Sequence, residues 1–505
     1  MSHDRAISDV IDDRLDGYRE RLFDLLAQPS VSTTGEGMDA AAALVVDTVE
    51  AAGFRATRVE TDRHPLVYAE FDPAGADARD GAGREPGADV PTVLFYGHYD
   101  VQPPGDPDEW DSPAFEPTVR DGAIYARGAG DNKGQFIAHA FAVDALRAAD
   151  AVPDVRVKLL IEGGEESGSA GFRAYLRDDP DVLADVDLVY VADGPRHAVA
   201  RPVLDGDEAS TGDSGAMGDN SGTTGDDSGA GRRGVPTLIY GNRGVLAFEV
   251  ECRTANTDLH SGNFGGPVPA ATNELVAGLS SMRADGTDEI TVDGFHDGIE
   301  VTDGDRELVA AIPDDGDEIR EELGLSRLAG EVPYYEQLLT RPTMTINGLS
   351  GGYQGEGMKT VLPNEASAKL DCRLVPNQVP DAVFEAIRDH LLAVNPELTV
   401  TKRSTFPPVK TPVDAPEATV VADALESVWG ASPIELPVLG GSLPAAYFRT
   451  LDALSDVPIL VVPYANHDQG NHSPNEHLDL DCFENGIRTT AAVLRGLEGP
   501  TATRE

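Results

Sequence analysis

The segments TVLFY (92–96), VRVKLLI (155–161) and DLVYVA (187–192) are short apolar runs, each about as long as a β-strand. They alternate with KGQFIAHAFAVDALRAA (133–149) and SAGFRAYL (169–176), in which apolar residues recur at helical spacing. Strands that alternate with helices predict an α/β domain in which a mostly parallel central sheet is flanked by helices.

Weaker patterns extend this prediction toward both ends of the chain. Helices are predicted at 10–28, 38–52, 415–429 and 480–497, and a strand at 458–462. Between them the pattern changes, with predicted strands at 245–252, 343–346, 365–375 and 398–403 and helices at 269–282 and 382–394. We therefore predict that residues 1–235 and 408–505 form one α/β domain and that residues 236–407 form an inserted α+β domain.

Two stretches inside the first part have almost nothing to bury. Residues 72–89 are rich in Gly, Ala, Pro and Asp, and residues 205–234 are rich in Gly, Ser, Thr and Asp. Such compositions cannot offset the entropy lost on folding, so both are predicted to be flexible acidic insertions.

The charge of the chain is its most unusual property. It has 88 acidic residues against 39 basic ones, for a formal net charge of −49. Such a chain repels nucleic acids and anionic membranes, so neither is expected as a partner. No apolar run is long enough to span a bilayer, the acidic N-terminus is unlike a signal peptide, and Cys252, Cys372 and Cys482 show no paired spacing. We therefore predict a cytoplasmic protein, and specifically one adapted to a salt-rich cytoplasm.

Five segments at the ends of predicted strands or the starts of predicted helices collect residue types that bind metals. They are GHYD (97–100), GAGDNKG (128–134), EGGEESG (162–168), ADG (192–194) and GNHSPNE (470–476). In an open α/β sheet, binding sites form beyond the carboxyl ends of the strands, so these segments are expected to converge. A single carboxylate means little in so acidic a chain, but this set offers imidazoles and carboxylates without thiolates, which suits zinc, manganese or cobalt.

The chain resembles the M20 family of metallopeptidases, and within it the dipeptidase branch that includes the carnosinases. The resemblance covers almost the whole length apart from the two acidic insertions. It is closest at RGAGDNKG (127–134) and DLHSG (258–262). The chain departs from the family pattern at Gly164, where a third acidic residue is more common. The resemblance implies a dipeptidase or carboxypeptidase that hydrolyses the amide bond of dipeptides or small peptides.

The resemblance also implies two divalent metal ions in each chain. Asp131 would bridge the ions, Glu166 and His472 would hold one of them, and His98 and Asp193 would hold the other. Ions bridged in this way can activate a shared water and polarise the scissile carbonyl.

Further site residues are implied by the same resemblance. Glu166 is assigned to the ions, which leaves Glu165 as the general base that passes a proton from the water to the leaving amine. Asp100 would accept the free ring N–H of His98 and orient that ligand. A cis peptide bond is expected between Asp131 and Asn132.

The inserted α+β domain resembles the family's lid and dimerisation domain, which implies a homodimer. His260 would stabilise the developing oxyanion, from its own chain or across the dimer. Arg373 would bind the substrate's terminal carboxylate, and Thr360 and Ser442 resemble further substrate contacts.

Two other functions stay open at this point. One is a deacylase that removes acyl groups from N-acyl amino acids, which would use the same ions and base. Asn132 favours a peptidase, because the biosynthetic deacylases of the family more often have methionine there. The other is a catalytically silent metal-binding scaffold, which the intact set of ligands and base disfavours.

The charge of the chain leads to a prediction about salt. Raising KCl from about 0.1 M to about 1 M shortens the Debye length from about 10 Å to about 3 Å and screens the self-repulsion of the folded chain. We expect the urea midpoint and the activity to rise together over this range. Sucrose, which favours compact states without screening charge, is the control. Equal stability and activity with and without molar KCl would refute the salt adaptation.

Overall fold

The computed structural model describes residues 2–73, 90–200, 232–284, 287–330 and 332–498. Most of the two predicted acidic insertions, residues 74–89 and 205–231, therefore lies outside the described residues. The last residues of the second one form a strand that pairs with residues 198–200. By its internal contacts the chain divides into two units, unit 1 (Met1–Leu238, Asp414–Glu435 and Leu451–Glu505) and unit 2 (Ile239–Val413 and Leu436–Thr450).

The helices and strands, among the described residues, are numbered in chain order. The helices are α1 (Ser2–Ala27), α2 (Met38–Ala51), α3 (Gly134–Ala148), α4 (Ala170–Asp178), α5 (Ser261–Phe264), α6 (Ala271–Ser281), α7 (Asp303–Ala311), α8 (Gly316–Glu322), α9 (Tyr334–Thr340), α10 (Pro380–Val394), α11 (Pro416–Trp429) and α12 (Leu480–Gly496). The strands are β1 (Arg55–Val59), β2 (Leu66–Phe71), β3 (Thr92–His98), β4 (Thr118–Arg120), β5 (Ala123–Tyr125), β6 (Arg156–Glu162), β7 (Leu188–Val191), β8 (Ala198–Ala200), β9 (Arg232–Gly234), β10 (Thr237–Ile239), β11 (Gly241–Asn242), β12 (Gly244–Arg253), β13 (Leu259–His260), β14 (Thr343–Gly351), β15 (Val361–Leu362), β16 (Glu365–Leu374), β17 (Leu398–Phe406), β18 (Val409–Lys410), β19 (Ile434–Leu436), β20 (Ile459–Val461) and β21 (His477–Asp479).

Unit 1 is built on an eight-stranded sheet in the order β1-β2-β6-β3-β7-β20-β10-β19. The four strands from β6 to β20 are parallel, whereas β1 and β2 add an antiparallel edge. This confirms the predicted α/β class with a mostly parallel sheet. All seven residues of β3 are buried, because a central parallel strand is covered on both faces.

The side chains of β3 show how helices cover both faces of this sheet. The ring of Tyr96 contacts Phe172 of α4, with 5.4 Å between ring centroids. The ring of Phe95, on the opposite face, stacks on His139 of α3 at 4.1 Å. On that same face, a Cβ on Gly97 would lie 2.4 Å from the Cβ of Phe136. Glycine at this position therefore lets α3 approach the end of β3.

Unit 2 contains an antiparallel sheet in the order β14-β16-β12-β17. Burial alternates along β12, where Leu246, Phe248, Val250 and Cys252 point into a core and Glu251 and Arg253 are exposed. Helices α6 and α10 contribute Leu275, Leu279, Ile387 and Leu391 to that core, so they cover one face of the sheet. Helices α7 to α9 occupy residues 303–340, where periodicity predicts no element because each helix is only two or three turns long.

Among the described residues, no helix combines the length and the apolar character needed to cross a bilayer.

Candidate metal centre

The segments at the carboxyl ends of the parallel strands come together in unit 1, as predicted. His98 ends β3, Asp193 follows β7, and Glu165 and Glu166 lie in a turn after β6. Asp131 precedes α3, and His472 lies in the loop before β21 with a φ of 60°. Parallel strands deliver their C-terminal loops to one edge of the sheet, and for that reason residues far apart in sequence meet here.

Two groups of side chains have the spacing of metal ligands, and both include Asp131. In the first, ligand atoms of His98, Asp131 and Asp193 all lie within 4.8 Å of one another, and in the second those of Asp131, Glu166 and His472 do. Asp131 uses a different oxygen toward each group: Oδ1 is 3.0 Å from His98 Nε2, and Oδ2 is 3.1 Å from His472 Nε2. The five predicted ligands are thus brought together around one shared carboxylate.

The two groups differ in their access to solvent. His98, Asp131 and Asp193 are buried, whereas the side chain of His472 is 52% exposed. His472 Nε2 is 3.2 Å from Glu166 Oε1, and Gln102 donates to Glu166 Oε2 at 2.9 Å. The centre is therefore closed on one side and open to solvent on the other.

Burial and crowded negative charge together shift the pKa values of the centre. Burial, reinforced by the charge of Asp131, raises the pKa of Asp193 to about 7. Burial also raises the pKa of Glu165 well above its ordinary value; His98 opposes this shift, and the charges of Asp193 and Glu166 reinforce it. Hydrogen bonds to Asp131 and Glu166 raise the pKa of His472 to about 10. Bound cations would relieve this repulsion, so the donor set fits divalent metal ions.

Asp100 is buried behind this centre, and its carboxylate contacts three groups. Its two oxygens accept hydrogen bonds from the backbone N–H groups of Glu165 and Glu166, each at 3.1 Å. His98 Nδ1 lies 3.4 Å from Asp100 Oδ1 and 3.0 Å from the Asp100 carbonyl oxygen. Asp100 therefore contacts the ring of His98, more closely through its carbonyl than through its carboxylate, and also holds the turn that carries Glu165 and Glu166.

The turn that carries Asp131 is held by Glu476, a residue to which no sequence motif gives a role. Glu476 is 1% exposed, and its Oε1 accepts from the backbone N–H groups of Gly128, Gly130 and Asp131 at 3.0, 3.1 and 2.9 Å. Its Oε2 accepts from Arg127 at 2.7 Å. The sequence does not single out Glu476, because the chain has 88 acidic residues, although Glu476 lies in the same segment as His472.

The expected cis peptide bond is present between Asp131 and Asn132. The Asn132 side chain donates to the carbonyl of Ala192 at 2.7 Å, and this bond ties the Asp131 turn to the end of β7 just before Asp193.

The other predicted site residues lie in unit 2 and form two pairs. His260 and Thr360 are exposed on neighbouring segments, since β13 pairs with β15 and the N–H of Ser261 donates to the Thr360 carbonyl at 3.1 Å. His260 Nδ1 accepts from the N–H of Gly262 at 3.0 Å. Arg373 donates to Ser442 Oγ at 3.2 Å.

The position of Glu476 leads to a prediction. Glu476→Ala should weaken metal binding roughly 10- to 100-fold, because the backbone that aims Asp131 loses its acceptor. It should also destabilise the fold by about 3–5 kcal/mol, because the buried Arg127 is left without its partner. Titration with Mn²⁺ and urea unfolding measure the two effects. Glu60→Ala removes an exposed partner of Arg58 and is the control. Unchanged metal affinity in Glu476→Ala would contradict this role.

Comparison with known proteins agrees with this geometry. A model of peptidase family M20/M25/M40 matches residues 94–496 of the 505. The Beta-Ala-His dipeptidase of Mus musculus is 28% identical over 421 residues, which cover 80% of this chain and 76% of that protein. The Cys-Gly metallodipeptidase of Schizosaccharomyces pombe is 28% identical over 98% of each chain. Among solved structures, the M20 family metallo-carboxypeptidase Sso-CP2 from Sulfolobus solfataricus is 30% identical, with a TM-score of 0.78 over 95% of this chain and 99% of that one. Because the family model spans most of the chain, this protein belongs to peptidase family M20/M25/M40 and is an M20-type peptidase.

Proposed function

We propose that the protein is a dipeptidase that uses two divalent metal ions to hydrolyse the amide bond of dipeptides. The observation that carries this proposal is the shared carboxylate of Asp131, whose two oxygens serve two separate ligand groups. The names of its relatives support dipeptides as substrates, since those from Mus musculus and Schizosaccharomyces pombe are both dipeptidases.

In this proposal, Asp131 holds both ions, His98 and Asp193 complete one site, and Glu166 and His472 complete the other. We propose zinc, manganese or cobalt, because the ligands are imidazoles and carboxylates. When bound, such ions lower the pKa of a water and polarise a carbonyl.

Glu165 is the proposed general base. It is next to the ligand Glu166, on a turn whose amides are held by Asp100. A carboxylate beside the ligands suits a group that takes a proton from the attacking water and then gives it to the leaving amine. His260, Arg373, Thr360 and Ser442 are proposed as substrate contacts, and unit 2 as the lid and dimerisation domain.

Removing the base tests this assignment. Glu165→Ala should lower kcat by about 10²- to 10⁴-fold while both ions remain bound, because Glu165 is a proton carrier and not a ligand. Metal analysis and turnover of a dipeptide, measured on the same preparation, check both statements. Asp178→Ala removes an exposed carboxylate at the end of α4 and should change neither. Unchanged turnover, or loss of the ions, would contradict the assignment.

The substrate class is tested with the Mn²⁺-loaded protein. Dipeptides should be hydrolysed and N-acyl amino acids should not. The reverse preference would favour the deacylase, and two bound ions without hydrolysis of either would favour the silent scaffold.

We also propose a homodimer formed through the edge strand β14. This strand pairs only with β16 among the described residues, and its Ile346 and Leu349 are 44% and 64% exposed. The opposite edge, β17, instead carries the charged Lys402 and Arg403, which protect an edge from pairing. An apolar, unpaired edge is suited to joining a second copy of the sheet.

A charge on this edge should break the dimer. Leu349→Lys should convert the protein from dimer to monomer in sedimentation velocity, because a lysine at the edge opposes strand pairing. Leu323→Lys, at a site that is 62% exposed after α8, is the matched control and should stay dimeric. A monomeric unsubstituted protein, or a dimeric Leu349→Lys protein, would refute the interface.

The cytoplasmic location and the adaptation to salt stay predictions from composition.

A further inference from the structure

A cavity of about 220 Å³ lies in unit 1, next to the turn that carries Glu165 and Glu166. Its lining comes from residues 32–33, 63–66 and 162–172, and it includes none of the five candidate metal ligands. One water takes up about 30 Å³ of liquid, so the cavity is too large for a single ion. Pockets for drug-sized ligands are about 300–1,000 Å³, so this one suits a smaller organic molecule.

Glu162, the last residue of β6, lines this cavity with an unsatisfied carboxyl oxygen. The residue is 1% exposed, and its Oε1 accepts a hydrogen bond from the hydroxyl of Tyr96 at 2.6 Å. Its Oε2 has no hydrogen-bond partner among the residues that the structure describes. A buried carboxyl oxygen without a donor is costly, so native structures seldom keep one without a purpose.

The space in front of this oxygen is open because residue 164 is glycine. A Cβ on Gly164 would lie 3.7 Å from Glu162 Oε2 and 3.7 Å from Ser167 Oγ, so the two oxygens face the same space. Ser32, which is 5% exposed, lines the cavity with a hydroxyl that also lacks a partner in the described part of the chain. The family more often has an acidic residue at position 164, and such a side chain would occupy this space.

Basic side chains line the outer part of the cavity. Arg63 is exposed, and it forms no ion pair with any described residue although the chain has 88 acidic residues. The ring of the half-buried His64 is oriented by its Nε2, which donates to the carbonyl of Ser32 at 2.8 Å. The hydroxyl of Thr61 holds this loop, since it accepts from the N–H of Arg63 at 3.0 Å and donates to the His64 carbonyl at 2.8 Å. The cavity is therefore acidic inside and basic at its rim.

The carboxyl of Glu162 favours a cationic partner. Burial raises the pKa of Glu162 to about 8 and the charge of Asp100 adds to this shift, whereas the hydroxyls of Tyr96 and Ser169 oppose it. A positive group beside Oε2 would stabilise the ionised carboxylate, because opposite charges attract strongly where water is excluded.

We propose that this cavity is a binding site for a free α-amino acid, with the ammonium group on Glu162 Oε2 and the carboxylate toward Arg63. An ammonium group has three donors and no acceptor, so it can also bind the hydroxyl oxygens of Ser32 and Ser167. The planar fork of an arginine matches the two oxygens of a carboxylate. The source of the ligand rests on the proposed function, because a dipeptidase releases free amino acids.

Calorimetric titration of the metal-loaded protein with L-alanine tests this site. The unsubstituted protein should bind L-alanine, it should not bind N-acetyl-L-alanine, which lacks the ammonium group, and it should bind L-alaninamide, which lacks the carboxylate, more weakly. Glu162→Gln should weaken binding of L-alanine roughly 30-fold or more, because the buried acceptor loses its charge. Metal content, measured on the same preparation, should stay unchanged, which separates the cavity from the metal centre.

Two further variants keep the test decisive. Gly164→Leu fills the cavity at a position whose φ of −151° accepts a side chain, and it should abolish binding even if Glu162→Gln does not fold. Asp178→Asn removes an exposed carboxylate at the other end of α4, outside the cavity, and should bind L-alanine like the unsubstituted protein.

Each outcome bears on a different claim. The amino acid site is overturned if the unsubstituted protein does not bind L-alanine, if it binds N-acetyl-L-alanine equally well, or if Glu162→Gln and Gly164→Leu both bind L-alanine normally. None of these results affects the peptidase function. Absence of dipeptide hydrolysis by the unsubstituted, metal-loaded protein would instead reject the proposed function and leave the calorimetric result in force.

Discussion

The candidate site depends on how the chain holds Asp131. Its carboxylate has an imidazole on each side, and its backbone N–H is one of three amides that converge on a single oxygen of Glu476. Because Glu476 also accepts from Arg127, the turn before α3 is tied to a buried ion pair. A carboxylate that must serve two ligand groups needs such support, since a small rotation would separate it from both.

The same region shows why so many carboxylates can be packed together. Asp131, Asp193, Glu165 and Glu166 repel one another electrostatically, and burial together with this repulsion raises the pKa values of Asp193 and Glu165. These carboxylates stay close together despite their repulsion because the sheet, Asp100 and Glu476 fix the backbone around the centre. Bound divalent cations would offset this repulsion, because each carboxylate would be attracted to their charge.

Unit 2 shows the opposite electrostatic arrangement on a smaller scale. In a chain with a net charge of −49, the loop at residues 439–442 is held by two arginines with one nearby carboxylate. The candidate metal ligands are thus clustered in unit 1, and the arginine pair lies in unit 2.

The sequence by itself determined the α/β class and the five metal-ligand candidates. Both depend on local signals: apolar runs such as residues 92–96 set the strands, and the resemblance at residues 127–134 places Asp131 within a motif. It did not reveal Glu476 or Arg243, because a lone Glu or Arg in this composition cannot be told from a surface charge. Only the tertiary structure showed that Glu476 is buried under the Asp131 turn and that Arg243 is buried beside the loop at residues 439–442. The burial of a side chain and the identity of its partner depend on contacts between segments far apart in the chain, such as Arg127 with Glu476. A local sequence pattern therefore cannot predict them.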